Sequence, residues 1–469
     1  MLSRRNFLLG PPFAAGAAAL ATRLGAQIAD GFTVLRAEIG EARLDGPDRP
    51  AVPVWGFGGA APGPPIRVRR GEEVKVRLVN ALAEPTSIHW HGVRIANAMD
   101  GAPPLTQMAV EPGASFDYRF VVPDAGTFWY HAHAPSLPSA SGGGWGGGER
   151  GLYGALIVDE LTPPQVDRNE LLLFADWPAP AGVAADAAGG SGTAGGGPAP
   201  ARRFIINGAP SFDIPVRTNE RLRLRFVNAS ARVMRGRIDG HRLAVVAFDG
   251  QPSEPFIARD SVVVLGPGNR VDIFVDAVRE PGSIAPIMFE TGSGPTELAR
   301  LVYDASSPVR AAPLADIGPL AMPFSAEPAV ANRPTANPLP VQPLPERMNL
   351  SRALRVTLPI DAGGAGAAGT GDAGGGTLRA PLFTAERGRT VVIALDNRSA
   401  AHVVHLHGHH FRLLDRLDDG WKPYWLDTLP VGARETVRIA FVADNPGRWL
   451  IELHPLDGPG AATAWFQVN

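Results

Sequence analysis

Three segments of this chain carry one pattern, an alternating apolar stretch closed by asparagine. They are residues 71–80, 219–228 and 387–397, ending at Asn80, Asn228 and Asn397. An apolar period of two marks a half-buried strand, because successive side chains leave a strand on opposite faces. The intervals between the three asparagines each suit a β-sandwich domain. A second landmark follows each repeat, at Pro112-Gly113, Pro267-Gly268 and Val431-Gly432, and leads into another alternating stretch. With Gly 55 and Pro 46 among 469 residues, turns and short strands are favoured over long helices. The fold class read from this is all-β, three tandem β-sandwich domains of Greek-key type. Their expected spans are 27–162, 163–310 and 345–469, with a Pro-rich linker over 311–344.

The first 26 residues fall outside this scheme. Ser3-Arg4-Arg5-Asn6-Phe7-Leu8 precedes an Ala-rich apolar stretch that reaches about Ala21. This reads as a twin-arginine export signal over 1–26, with cleavage after Ala26. A membrane anchor is the weaker reading, since Pro11 and Pro12 interrupt a run already short for a span. The expected location is periplasmic, with no membrane span in the rest of the chain. A formal charge of −2 offers nothing to a polyanion, so no nucleic-acid partner is expected. Gly/Ala-rich stretches at 179–201 and 363–376 read as flexible loops, and 139–148 as a Gly-rich insertion after His133.

Histidine is distributed unevenly. Ten of the 11 histidines fall in four places: His89/His91, His131/His133, the run 402–410, and His454. His241 stands alone and reads as an ordinary buried histidine. An i, i+2 pair shares a strand face, so each pair presents two imidazoles together. If residues 402–410 form one strand, His405, His407 and His409 share a face and His402 takes the other. Imidazole suits copper, zinc, iron and nickel alike. His89 and His91 follow Asn80 at nearly the interval at which His405 and His407 follow Asn397. The second repeat has Arg237 and Asp239 there. The middle domain is thus expected to be a spacer, with the outer two facing each other across a shared metal site.

Four histidine clusters in this order on three β domains resemble the multicopper oxidases, the laccase-like family of cupredoxin-domain enzymes. Gly126-Thr127-Phe128-Trp129-Tyr130-His131-Ala132-His133, Asp444-Asn445-Pro446-Gly447-Arg448-Trp449, and Asp100-Gly101 leading to Thr106-Gln107 also resemble family sequence. The resemblance covers essentially all of the chain after residue 26 and implies three cupredoxin-like domains. It implies that His89 and His405 hold the type 2 copper. It assigns His91, His131 and His454 to one type 3 copper, and His133 and His407 to the other, with a third ligand from the last motif. Asp100 matches an acid that helps relay protons to the oxygen-reducing cluster; a turn residue before Gly101 is the plainer alternative.

The departures from the family bear on mechanism. The family's last motif carries His-Cys-His, and here the residues are Glu452-Leu453-His454. The chain has Cys 0, so a thiolate-bound type 1 copper is chemically excluded. Only His402 remains of that site, with Leu453 and Gly458 in place of the other two ligands. Seven of eight trinuclear positions are histidine, and the eighth is Glu452. A carboxylate is a competent, harder ligand; pairing with Arg448 is the alternative.

Three functions are compatible with these residues. One is an oxidoreductase with type 2 and type 3 copper and no type 1 copper, reducing dioxygen with a small reductant. The second is a copper-binding or copper-handling protein; its seven Met form no tract suited to passing on Cu(I). The third is a non-catalytic scaffold with an envelope protein partner, similar to the FtsP-type cell-division protein, which shares the fold and export route but lacks functional copper sites. The filled histidine positions speak against the third, and the oxidoreductase is the leading reading of the other two. Gathering imidazoles without a metal sets up repulsion when they protonate.

Overall fold

In the computed structural model, the described residues are 27–133, 151–178, 202–290, 294–314, 343–361, 364–365, 380–415, 420–456 and 461–469. The signal stretch 1–26, the insertion 139–148, the loop 179–201, most of 363–376 and most of the linker 311–344 lie outside them.

Each asparagine-terminated repeat is a central strand with the same two kinds of neighbour. Glu73–Asn80 lies between Phe32–Ala42, parallel to it, and Ser115–Val121, antiparallel. Arg221–Asn228 has Arg168–Pro178 parallel and Arg270–Asp276 antiparallel. Arg389–Asn397 has Leu354–Asp361 parallel and Thr436–Ala443 antiparallel. A second sheet packs on each of these three. In the first domain it runs Ile66–Arg69, Tyr153–Asp159, Gly126–Ala132, Ile88–His91. In the third it runs Thr384–Ala385, Ala462–Val468, Gly447–Pro455, His402–Leu406, Thr428–Val431. The middle domain repeats the arrangement with Met234–Ile238 where the outer domains place their histidine strands. The architecture is three sandwiches in tandem, as the sequence pattern predicts.

The alternating residues fill the cores. Val74, Val76 and Leu78 pack inside the first sandwich, Leu222, Leu224 and Phe226 inside the second, and Val391, Ile393 and Leu395 inside the third. Truncating a buried phenylalanine such as Phe226 would cost about 3–5 kcal/mol.

The closing asparagines have one shared task. The Asn80 amide donates to the Glu84 and Val110 carbonyls at 2.9 and 2.8 Å while its oxygen accepts from the Leu82 N–H. Asn228 donates to Arg232 and Leu265, and Asn397 to Ala400 and Gly432, each also accepting from a backbone N–H two residues on. The asparagine staples the strand's exit to the turn beyond it, satisfying backbone groups that burial would otherwise strand.

The second landmark holds in two repeats and is displaced in the third. Gly113 and Gly268 take φ of +79° and +80° two residues before their strands begin. The position two before Thr436–Ala443 is Arg434, with φ +56°; Val431-Gly432 lies further upstream. Apolar spacing alone points to the wrong glycine. A non-glycine residue in the left-handed region costs roughly 1–2 kcal/mol.

Strand residues 402–406 also end sooner than the histidine run suggests. Gly408 has φ +65°, and a Cβ there would lie 2.2 Å from the Trp449 ring. The chain therefore turns after His407. His409 enters the third core against Phe441, Trp449 and Phe466, so it does not share a face with His405 and His407. Among the described residues no helix is long and apolar enough to cross a membrane.

Arg434→Gly should relieve the left-handed turn and raise stability by about 1 kcal/mol, measured as a higher urea midpoint with unchanged slope. A lower midpoint would show that the arginine's own contacts outweigh its backbone cost.

Candidate metal centre

Strand alternation delivers two histidine-bearing edges to one interface. In the first domain Ile88, Trp90, Phe128 and Tyr130 fill the core, which turns His89, His91, Trp129 and His131 to the opposite face. In the third domain Val404, Ile451 and Leu453 fill the core, which turns His405, Glu452 and His454 outward. Register then makes pairs: His89 stands across from His131, and His405 across from Glu452. The two faces meet with Ala102 and Leu105 packed on Leu450 and Trp465 at one side.

All eight sequence-predicted metal residues come together there, and seven are buried; His133 is partly exposed. The His91 and His405 rings stack at 3.7 Å between centroids, and the His89 and His407 rings lie 3.9 Å apart. Three overlapping donor groups result, each with its ligand atoms within 4.8 Å: His89, His91, His405; His89, Asp100, His407; and His133, His407, Glu452.

Hydrogen bonds set which nitrogen of each ring is unprotonated. His89 Nδ1–H donates to the Asp100 carbonyl at 2.9 Å, and His405 Nδ1–H to the Asp427 carbonyl at 3.0 Å. Their Nε2 atoms are therefore both lone-pair atoms when neutral, and they face each other across the domain boundary at 3.2 Å. His407 Nδ1–H donates to Asp100 Oδ2 at 3.0 Å, leaving Nε2 aimed at Glu452 Oε2 at 3.3 Å. Those two buried atoms form an ion pair when His407 is protonated. His133 Nε2 contacts the other carboxylate oxygen at 2.9 Å.

The electrostatics follow from burial and neighbours. Burial, reinforced by His407 for His89 and by neighbouring histidines for His91 and His131, holds these rings below the usual imidazole range. Burial pushes His405 down to about 4. His407 goes the other way: burial opposes its charge, but Asp100 and Glu452 flank it and raise it to about 9. Burial also disfavours the charge on Glu452 and Asp100. Even so, His133 and His407 hold Glu452, and His407 and His89 hold Asp100, well below the usual carboxylate range.

With that geometry in hand, comparison with known proteins is decisive. Three multicopper oxidase family models match residues 39–162, 169–305 and 353–457. The chain belongs to the multicopper oxidase family. Lac15 from a marine microbial metagenome superposes with a TM-score of 0.71 over 93% of this chain and 99% of that one, at 33% identity. A multi-copper oxidase from Pseudomonas thermotolerans gives 0.72 over 93% and 100%, at 30% identity. Multicopper oxidase MmcO of Mycobacterium tuberculosis is 29% identical over 451 residues, 86% of this chain and 81% of the relative. Multicopper oxidases are copper oxidoreductases that use dioxygen and a reductant.

The donors of this multicopper oxidase fit copper at the interface. Opposed imidazole lone pairs beside a buried carboxylate are the arrangement a cation resolves, and imidazole is a preferred copper ligand. They do not fit the family's thiolate-bound copper. Leu453 is part of the apolar core, His402 donates its Nδ1–H to Ala400 at 2.8 Å, and the sequence holds Cys 0. Glu452 faces the histidines rather than Arg448, whose guanidinium lies 5.9 Å from the Trp465 ring centroid.

Sequence reasoning missed Asp427 and Thr428. The Thr428 hydroxyl donates to Asp427 Oδ1 at 2.7 Å and stands 2.9 Å from His91 Nε2 and 3.0 Å from His405 Nδ1. The only signal in the sequence is an Asp-Thr pair leading an otherwise apolar strand. Asp249 and Arg270 of the middle domain, which are buried against Asp427, were missed as well. Burial and Asp427 together push Asp249 up to about 6, while Arg270, against the pull of burial, holds Asp427 well below its usual range.

An unfolded imidazole protonates near 6.5. Between that value and about 4, where His405 titrates when folded, the unfolded chain takes up protons that the native cluster refuses. The metal-free chain should therefore lose stability as pH falls through this window, by about 1.4 kcal/mol for each tenfold loss of proton affinity on folding. His407 acts oppositely: its contribution is complete below 6.5 and is lost as pH rises through about 9. Thermal melts of metal-free protein from pH 4.5 to 7 should show the midpoint rising with pH; a flat profile would contradict the neutral, buried state of these rings.

Proposed function

We propose that this multicopper oxidase is an exported, periplasmic oxidoreductase that holds copper only between its first and third domains. It reduces dioxygen with electrons taken directly from a small reductant. The observation that carries the reading is the pair of His89 and His405 Nε2 atoms, 3.2 Å apart on rings whose Nδ1–H groups both donate to backbone carbonyls. Like lone pairs in a dry interface are stable only with a cation to share. In this assignment His89 and His405 hold the type 2 copper. His91, His131 and His454 hold one type 3 copper, and His133, His407 and Glu452 the other.

Bound copper would supply the one-electron couples that link reductant to dioxygen. The chain's own residues do the rest. Asp100 anchors two ligands at once, through its carbonyl to His89 and its carboxylate to His407 Nδ1, and Oδ2 is the atom at which it would receive or release protons for water formation. Glu452 adds a negative charge where the family has imidazole, which favours the oxidised metal. With no thiolate site to gather electrons, the reductant must reach the cluster itself, so turnover is expected to be slow and selective for small donors.

Oxygen uptake by the copper-loaded chain with small one-electron reductants tests this. Uptake should fall to background in His91→Ala/His131→Ala. Glu452→Gln, which keeps the shape and removes the charge, should weaken one copper by about 10–100-fold. A wild-type protein that binds copper without consuming oxygen would leave a copper-binding role. If the paired substitution changed neither copper content nor uptake, the scaffold reading would stand in its place.

A further inference from the structure

We propose that Arg270, in the middle domain, is a positioning residue that sets the tautomer of a ligand histidine, His91, in the first domain. The inference rests on the copper reading above and goes beyond it, because it gives the middle domain a part in the site.

Arg270 is fully buried. Its Nη1 donates to Asp427 Oδ1 at 2.8 Å and to the Gly268 carbonyl at 3.0 Å, its Nη2 donates to Asp427 Oδ2, and its Nε donates to the Thr127 carbonyl at 3.3 Å. One guanidinium thus touches all three domains. Its fork pins the Asp427 carboxylate in one plane with both oxygens engaged, a geometry that lysine cannot reproduce. Asp249, also of the middle domain, braces the same spot from the backbone side. It accepts from the Arg270, Asp427 and Thr428 N–H groups at 2.9, 3.2 and 3.3 Å.

The consequence travels through one hydroxyl. Thr428 has a single proton, and it goes to the Asp427 anion. The Thr428 oxygen can then only accept from its other two neighbours, His91 Nε2 and His405 Nδ1. Both nitrogens must carry hydrogen, which leaves His91 Nδ1 and His405 Nε2 unprotonated; the Asp427 carbonyl already imposes that tautomer on His405, so His91 is the ring that depends on this hydroxyl. Fixing the ring through the nitrogen that does not ligate is a general way of ordering a metal histidine. Gly92 makes room for the device: a Cβ there would lie 2.1 Å from Arg270 Nη2 and 2.4 Å from Asp427 Oδ2.

The test uses the full chain and two readouts. Copper affinity comes from chelator competition followed by EPR, and histidine tautomers come from nitrogen-15 imidazole shifts of the metal-free protein. R270K and D427N should each weaken copper by about 10–100-fold and mix the His91 tautomers, while His405, whose Nδ1–H the Asp427 backbone carbonyl accepts, keeps its own. The double variant should be no worse than the worse single, because both act through one contact. R223K is the control: Arg223 is buried at the same domain boundary but pairs with Glu160 and Asp272. It should lower stability while leaving copper affinity and tautomers at wild-type values. Folded R270K and D427N with wild-type affinity and tautomers would overturn the proposal. If R270K fails to fold, D427N decides alone, being isosteric. If the wild type binds no copper, the copper reading fails, and the tautomer comparison of wild type with D427N still decides this one.

Discussion

Imidazole lone pairs held face to face across a domain boundary are the constraint on which this structure turns. His89 and His405 come from different sandwiches, are buried, and donate their other nitrogens to backbone carbonyls. Nothing local requires that arrangement, and in a metal-free interface it is repulsive. It exists because two independent strand alternations direct their core residues inward and leave histidines on the remaining faces. The apolar contacts of Ala102, Leu105, Leu450 and Trp465 and the buried ion pair between Arg270 and Asp427 hold the faces together. A cation between the two rings would remove that repulsion, and its binding would then favour the assembled domains.

Much of the fold is legible in the residue pattern alone. The period-two strands ending at Asn80, Asn228 and Asn397 are local patterns, and local patterns survive folding. The reason for the asparagine is not legible, since its partners Val110, Leu265 and Gly432 lie some thirty-odd residues away. The displaced turn at Arg434 escapes notice because glycine marks a left-handed position only by preference, and the third repeat tolerates an arginine there.

The site divides the same way. The eight candidate metal ligands are readable as i, i+2 pairs together with the family's motifs. His409 falls on a different face from the one its spacing predicts, because period two holds only while the strand continues, and Gly408 ends it. Asp427, Thr428, Arg270 and Asp249 carry no motif. A buried charge pair becomes visible only when two distant strands are brought together, here Arg270 with Asp427. The middle domain, which lacks histidines at the matching positions, reads as a spacer for that reason. Its counterpart strand Met234–Ile238 does turn its arginines Arg235 and Arg237 to solvent, while its opposite sheet reaches into the centre.

Glu452 and the missing thiolate separate this chain from the usual family mechanism, and both are properties of one short strand, Gly447–Pro455. Leu453 points into the core and its neighbours point at the cluster.

The central claim is best tested by counting copper per chain on the copper-loaded protein, with an EPR spectrum and an absorption spectrum of the same sample. The account predicts roughly two to three coppers per chain, a type 2 signal and no intense blue band. A folded protein that takes up no metal would contradict it, and would leave the histidine interface without the cation its geometry demands.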